Sequence, residues 1–464
     1  MSIREKVFVA ECPDYDVARI RSVIERGMRE LGFAPKGKVF VKPNVVFAVS
    51  PERYGPHAYT APAFVEAALS VLSNDPNVTR VTLGEKSAVG LPTRLSFKES
   101  GYFDLTRRVA ASSKVPVKAV CIEEERRAMM FVGGAVHDRV RINRQMAEAN
   151  TRVYLPKLKC HCVSKMTGAV KLNIGILCDD ERSIRHDFLL NQKIVDLLVP
   201  GMPHLVVTDA ITVGVGNEAI PIPRHLGLII MALSPLSADI VGARLLGLRP
   251  DEVPYLAEAF SRGYRPNVLE DIELVGDLTS AQALDEAANR VKPYDDDFYR
   301  WQDVSKELKR MNSPLKFYHG PHSASSDAKC ETGCVMGVKM FLAFIEKFAG
   351  AEAFAKAKPQ SIIIGRIDRP IDCRGEIAWL FGSCAKAELL NAKKAVHIDK
   401  CFTTASDMFL FTRNNMGIPS PFFDASFMRS YIPTLLAAMG SKLVRGRYFQ
   451  DIGHFITQRL THRL

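Results

Sequence analysis

Disulfide-forming capacity is the first thing this sequence lacks. Ten cysteines in 464 residues are too sparse to staple a small core, so they read as reduced thiols in a cytoplasmic protein. The first residues do not combine a basic region, an apolar core and a small-residue cleavage site, as a secretory leader does. Long apolar runs are also missing. The longest, residues 225–248, is broken by Ser234, Pro235, Ser237, Asp239 and Arg244, which excludes a lipid-exposed span. Glycine (30) and proline (26) are too few for a collagenous or low-complexity chain. Nucleic-acid signatures are equally scarce. The formal charge is +11, but the basic residues are scattered, with no basic tail, zinc-finger spacing or aromatic–basic RNA motif. A small anionic substrate accounts for the charge at least as well.

What is present is an alternation of short apolar runs and amphipathic segments. Strands are predicted at 6–10, 38–46, 78–84, 115–122, 152–155, 204–211 and 227–233, with helices at 16–31, 61–73, 91–112, from 167, around 187–198 and at 238–248. This order argues for an α/β fold, with mainly parallel sheets covered by helices on both faces. Residues 291–326 turn polar, with an acidic run at 295–297 and then Pro314 and Pro321. The expected organisation is therefore a domain over 1–290, a connecting segment over 291–326 and a smaller α/β region over 327–464, with a helix at 328–348 and strands at 361–367, 377–381 and 395–398.

In such sheets ligands sit beyond the carboxyl ends of the strands, and four loops of the first domain end strands with polar chemistry. Lys42 and Asn44 flank Pro43, and Thr60 is placed to cap the helix that follows. Lys86 and Ser87 lie in a strand-to-helix loop at 84–90 that offers an anion cradle, although its glycine spacing is neither a Walker motif nor the dinucleotide fingerprint. The segment at 156–173 concentrates Lys157, Lys159, His161, Lys165 and Lys171, with Cys160 and Cys162 too close together for zinc-site spacing. A fourth loop carries Asp209, Asn217 and Glu218. The reading is anion binding by Lys42, Asn44, Lys86, Ser87, Lys157, Lys171 and Asn217, with Lys159, His161 and Asp209 handling protons. For each residue a structural role, as a solvated loop, cap or salt bridge, stands beside the functional one.

KPN at Lys42, GEKSAVGLP from Gly84, PKLKCH from Pro156, SKMTGAVKLNIG from Ser164, VTDAI from Val207 and SADIVGARLLG from Ser237 resemble the successive motifs of the domain-of-unknown-function family numbered 362, in order over roughly 35–250. The resemblance implies an iron–sulfur association. Some members of that family carry a ferredoxin module with a CxxCxxCxxxC run, which this chain lacks.

Five cysteines fall in the last third. Cys330 and Cys334 are expected at the start of a helix, where the dipole favours thiolate. Cys384 and Cys401 each follow a strand in consecutive units, and neighbouring parallel strand tips lie about 5 Å apart, so all four thiols are placed to converge. They suit a four-iron four-sulfur (4Fe–4S) cluster, with Cys373 as a substitute ligand, zinc as the competing metal and buried packing as the non-metal role. The function expected is an iron–sulfur oxidoreductase that reduces a small anionic substrate with electrons from a ferredoxin-type donor, in a chain compatible with a homodimer. The alternative is a non-redox transferase or isomerase of phosphorylated or carboxylated metabolites.

Overall fold

The computed structural model describes residues 4–291, 301–412 and 415–460. The acidic run at 295–297 lies outside them. The chain divides into two compact units: Met1–Glu181 with Asn191–Phe298 and Tyr431–Gly453, and Arg182–Leu190 with Tyr299–Ser430 and His454–Leu464. No helix among the described residues is long and apolar enough to cross a membrane.

The first unit is α/β, built on a large mixed sheet that is mostly parallel. Its central order is Ile272–Gly276, Glu5–Glu11, Ile222–Ala232, Leu205–Val215, Thr151–Leu155, Gly37–Pro43, Val78–Glu85 and Val117–Cys121. Only Ile222–Ala232 runs antiparallel to its neighbours along this path. Near-continuous apolar runs make these strands, as burial on both faces requires: Val7, Phe8, Val9 and Ala10 are all fully buried. Helix Val17–Glu30 repeats its apolar residues Ile20, Val23, Ile24 and Met28 at three- and four-residue steps, and Asp16 caps it through the Arg19 N–H. Beyond the carboxyl end of Thr151–Leu155, Lys157–His161 pairs with Leu205–Val215 and, antiparallel, with Lys165–Thr167. Tyr431–Gly453, which takes in most of the helix Ala425–Val444, returns to this unit, where Arg127 is buried between Asp180, 2.8 Å away, and Asp451.

The second unit holds a four-stranded, all-parallel sheet in the order Leu315–His319, Gln360–Ile364, Ile377–Phe381, Lys394–Ile398. Arg366–Asp372 pairs in parallel with Lys386–Leu390, and a small hairpin joins Pro321–Ser323 to Ser326–Lys329. Helix Cys334–Ala349 buries Val335, Val338, Phe341, Leu342 and Ile345.

Several elements differ from the sequence-based expectation; the helix expected over 91–112 is two helices, Thr93–Glu99 and Tyr102–Ser112, and the strand expected over 361–367 is divided between Gln360–Ile364 and Arg366–Asp372. No helix starts at Thr167: that residue ends the strand Lys165–Thr167, and a 3-10 turn covers Lys171–Ile176. The Asp239 carboxylate accepts the N–H groups of Ala169 (2.6 Å) and Val170 (3.0 Å), which ties this stretch into a tight turn. The expected connector contains the helix Val304–Arg310 and the edge strand Leu315–His319. Only Leu315 of that strand is buried, so it lacks the apolar run that marks an inner strand. The helix expected from 328 begins at Cys334, because Ser326–Lys329 is used in the hairpin.

Candidate functional site

In the first unit the polar strand tips meet as buried ion pairs. Lys42 and Glu85 end neighbouring parallel strands, so their side chains converge, and Lys42 Nζ lies 2.7 Å from Glu85 Oε2 with both side chains almost wholly buried. Gly175 makes room for them: a side chain there would start 2.0 Å from Glu85 Oε1 and 2.6 Å from Lys42 Nζ. Lys157 donates to Asp209 (2.9 Å) and to the Tyr15 hydroxyl (2.8 Å). Asp209 also accepts from Tyr15 (2.9 Å) and from the Ala61 N–H (3.0 Å), so it is Asp209, not Thr60, that serves the helix Pro62–Asn74. Thr60 instead donates to the Leu155 carbonyl (2.6 Å) and accepts from the Asn44 N–H (3.1 Å).

The other sequence-identified residues of this unit are engaged in much the same way. Lys86 Nζ donates to the carbonyls of Ser87, Ala88 and Leu91 within its own loop and lies 3.1 Å from Asp179. The Ser87 N–H donates to Thr93 Oγ1 (3.0 Å), and Asn217 accepts from the Ala219 N–H (2.9 Å). Lys159 donates to two carbonyls, of Ala58 (2.5 Å) and Glu218 (2.7 Å). Burial lowers its pKa to about 7, with Lys171 and Lys157 adding to the shift and Glu218 opposing it. This amine therefore loses its proton near neutral pH, as a general base or nucleophile requires.

His161, Cys162 and Glu218 form the one group, among the described residues, of three or more His, Cys, Asp or Glu ligand atoms within 4.8 Å of one another. The hydrogen bonds argue against a metal there. His161 Nδ1 accepts the N–H groups of Val163 (3.1 Å) and Ser164 (3.2 Å), which leaves the ring proton on Nε2, facing Glu218 Oε1 at 3.4 Å. A nitrogen carrying a proton has no lone pair for a metal. Burial drives the His161 pKa down to about 3, so the ring is neutral. Glu218 stays ionised: burial opposes its charge, but His161, Cys162 and Lys171 hold its pKa down to about 2.

In the second unit, cysteines occupy the carboxyl ends of three of the four parallel strands. Cys330 and Cys334 follow Leu315–His319 by way of the hairpin, Cys384 follows Ile377–Phe381 and Cys401 follows Lys394–Ile398. The last two strands are hydrogen-bonded neighbours. All four thiols are free, and ionisation of one is felt by others: Cys330, Cys334 and Cys384 all raise the pKa of Cys401. Gly382 is what lets the loops close together. Its φ is +105°, and a methyl there would sit 2.9 Å from the Cys334 sulfur and 3.8 Å from the Cys384 sulfur. The Thr403 N–H donates to Cys334 Sγ at 3.2 Å. Burial raises all four pKa values, that of Cys334 to about 11. In this arrangement burial outweighs the helix-dipole effect expected from the sequence, and Cys330 precedes the helix altogether. Cys373 packs with Ile363, Ile371 and Ala378 in an apolar cluster at the amino end of its neighbouring strand.

Sequence reasoning missed Asp187. It is buried, 3.9 Å from Cys401 Sγ, and its charge also raises the pKa of Cys330 and Cys384. It comes from a segment that joins this unit from far away in the chain, and no local pattern signals that. Glu85 and Tyr15 were missed for the same reason.

No curated protein matches this sequence. Among solved structures, the lactate racemase apoprotein from Thermoanaerobacterium thermosaccharolyticum is similar at 13% identity with a TM-score of 0.31. That similarity covers 52% of this chain and 57% of that one, so the match spans little more than half of the solved structure. Residues 39–244, which carry the paired lysines and the His161–Glu218 group, match the family model described as Domain of unknown function (DUF362).

Proposed function

We propose that the protein is an iron–sulfur-dependent oxidoreductase, a reductase of a small anionic substrate, with a 4Fe–4S cluster held by Cys330, Cys334, Cys384 and Cys401. The observation that carries this reading is the gathering of four free thiols at the carboxyl ends of three parallel strands. Their spacing is wider than a single zinc ion would hold it. Tetrahedral zinc, with Zn–S bonds of about 2.3 Å, draws its sulfurs to roughly 4 Å from one another, yet no three of these thiols come within 4.8 Å. In a cluster each thiolate binds a different iron, so the sulfurs stand further apart. The space kept open by Gly382 and the N–H donated by Thr403 to a sulfur both suit such a group.

When bound, a cluster supplies single electrons, here taken from a ferredoxin-type donor. The chain's own residues do the rest: Thr403 stabilises the Cys334 sulfur as charge builds, and buried Asp187 favours the less negative, oxidised state. The test is anaerobic purification with visible absorption, iron and acid-labile sulfide analysis. About four irons per chain and a broad band near 400 nm, roughly as thiolate-bound clusters give, are expected. A colourless, iron-free protein overturns the reading.

The second reading, a non-redox transferase or isomerase, has its own observation in Lys159, whose buried amine is half neutral at about pH 7. Its sign is turnover that survives removal of all iron and disappears in Lys159→Met.

A further inference from the structure

The buried lysines at the strand tips of the first unit are directed at the protein's own carboxylates and carbonyls. The second unit contains a group of cations that is not. A cavity of about 490 Å³ opens beside Cys384, lined among others by His322, Arg366, Ser383, Lys386 and His397. That size suits a small organic ligand. Cys330, Cys334 and Cys401 do not line it, so it is not itself the cysteine site.

Arg366 and Lys386 face each other in register on neighbouring strands, and both line the cavity. Two like charges placed directly opposite each other destabilise a sheet, and little in the protein offsets them. Arg366 has Asp368 at 3.4 Å, with a side chain 79% exposed and therefore well screened. Lys386 is solvent-exposed and has no carboxylate partner among the described residues, Arg366 is part-exposed, and no acidic residue lines the cavity. The remaining walls are fixed. His322 stacks on Phe188 with ring centroids 4.3 Å apart and planes 4° from parallel. His397 Nε2 donates to the Gly382 carbonyl at 3.0 Å, so the turn that makes room for the cysteines also orients this ring.

We propose that this cavity binds a small organic oxyanion whose carboxylate or phosphate bridges Arg366 and Lys386, as the substrate pocket of the reductase; the assignment rests on the iron–sulfur reading above. The two cations hold the oxyanion through charge-assisted hydrogen bonds, and the body of the ligand lies toward Cys384.

The experiment is calorimetric titration of the anaerobically purified full chain with inorganic phosphate and, separately, with succinate, alongside an Arg366→Gln/Lys386→Gln variant and a Lys356→Gln control. Iron content is measured in every sample. The expected result is one saturable site for one of the two anions, weakened about tenfold or more in the double variant but not in the control, with iron unchanged in all three. The same anion shifts the electron paramagnetic resonance lines of the dithionite-reduced protein, but not those of the double variant. A preference for phosphate assigns a phosphate ester, and a preference for succinate a carboxylate. Iron-loaded protein that binds neither anion saturably, or binds equally with and without Arg366 and Lys386, overturns the pocket while leaving the cluster. Iron-free wild-type protein whose anion binding still depends on the pair overturns the cluster and the reductase role, and leaves an anion pocket alone.

Discussion

The two units place their polar groups in opposite ways. In the first, Lys42 has Glu85, Lys157 has Asp209, and His161 turns its ring proton toward Glu218. In the second, four thiols gather with the buried Asp187 carboxylate beside them, and Arg366 and Lys386 stand side by side at the cavity next to Cys384. A basic motif in a sequence therefore says little about ligands until its partners are known. The side chains that point to a ligand are those whose needs the fold has left unmet.

The sharpest way to break this contrast is to remove thiols. Cys384→Ser/Cys401→Ser is expected to abolish nearly all bound iron, read by elemental analysis of anaerobically purified protein; a full complement of iron in that variant sinks the four-cysteine assignment. In the first unit, Asp209→Ala strands the buried Lys157 and is expected to cost about 3–5 kcal/mol in urea unfolding. The Lys157→Met/Asp209→Leu double variant should regain most of that loss, since neither charge is then left alone; equal damage in both variants would show that the pair is not the source of the effect.

A smaller effect tests the cysteine loops. Gly382→Ala forces a side chain into a positive-φ turn and against the Cys334 sulfur, at roughly 1–3 kcal/mol. Thermal unfolding should fall together with iron content, and retention of both would mean that the turn does not hold the thiols. A pH dependence tests the buried amine of the first unit. Unfolded, Lys159 keeps its proton up to about pH 10.5, whereas folded it releases it near 7. Between these values the unfolded state binds more protons, so the Lys159 contribution to stability rises with pH across that window. Lys159→Met should flatten that rise, and an unchanged profile removes the buried amine as its cause.

Local pattern made much of this architecture legible. Burial on both faces writes a parallel strand as an apolar run, so 6–10, 78–84 and 377–381 could be read directly; the edge strand at 395–398 was legible from its short apolar alternation, and with it the neighbouring placement of Cys384 and Cys401. Elements held by remote partners could not. The turn at Ala169–Val170 depends on Asp239, the strand Leu315–His319 is an edge with one buried residue, and Asp187 reaches the cysteines from a segment about 145 residues before Cys330 in the chain. The lysines of the first unit were visible as chemistry, but their carboxylates lie 43 and 52 positions away. Linear spacing therefore could not separate a ligand-binding ammonium from one already matched.

Arg127 sets an order on biosynthesis. Its buried guanidinium is shared between Asp180 and Asp451, so one of its two acids leaves the ribosome more than three hundred residues after it does. Domains generally fold as they emerge, N-terminal first. This N-terminal unit has to wait: until nearly the whole polypeptide has been made, Arg127 is a half-matched charge in an incomplete interior, and a nascent chain stalled after residue 298 is expected to be protease-sensitive where the released protein is not.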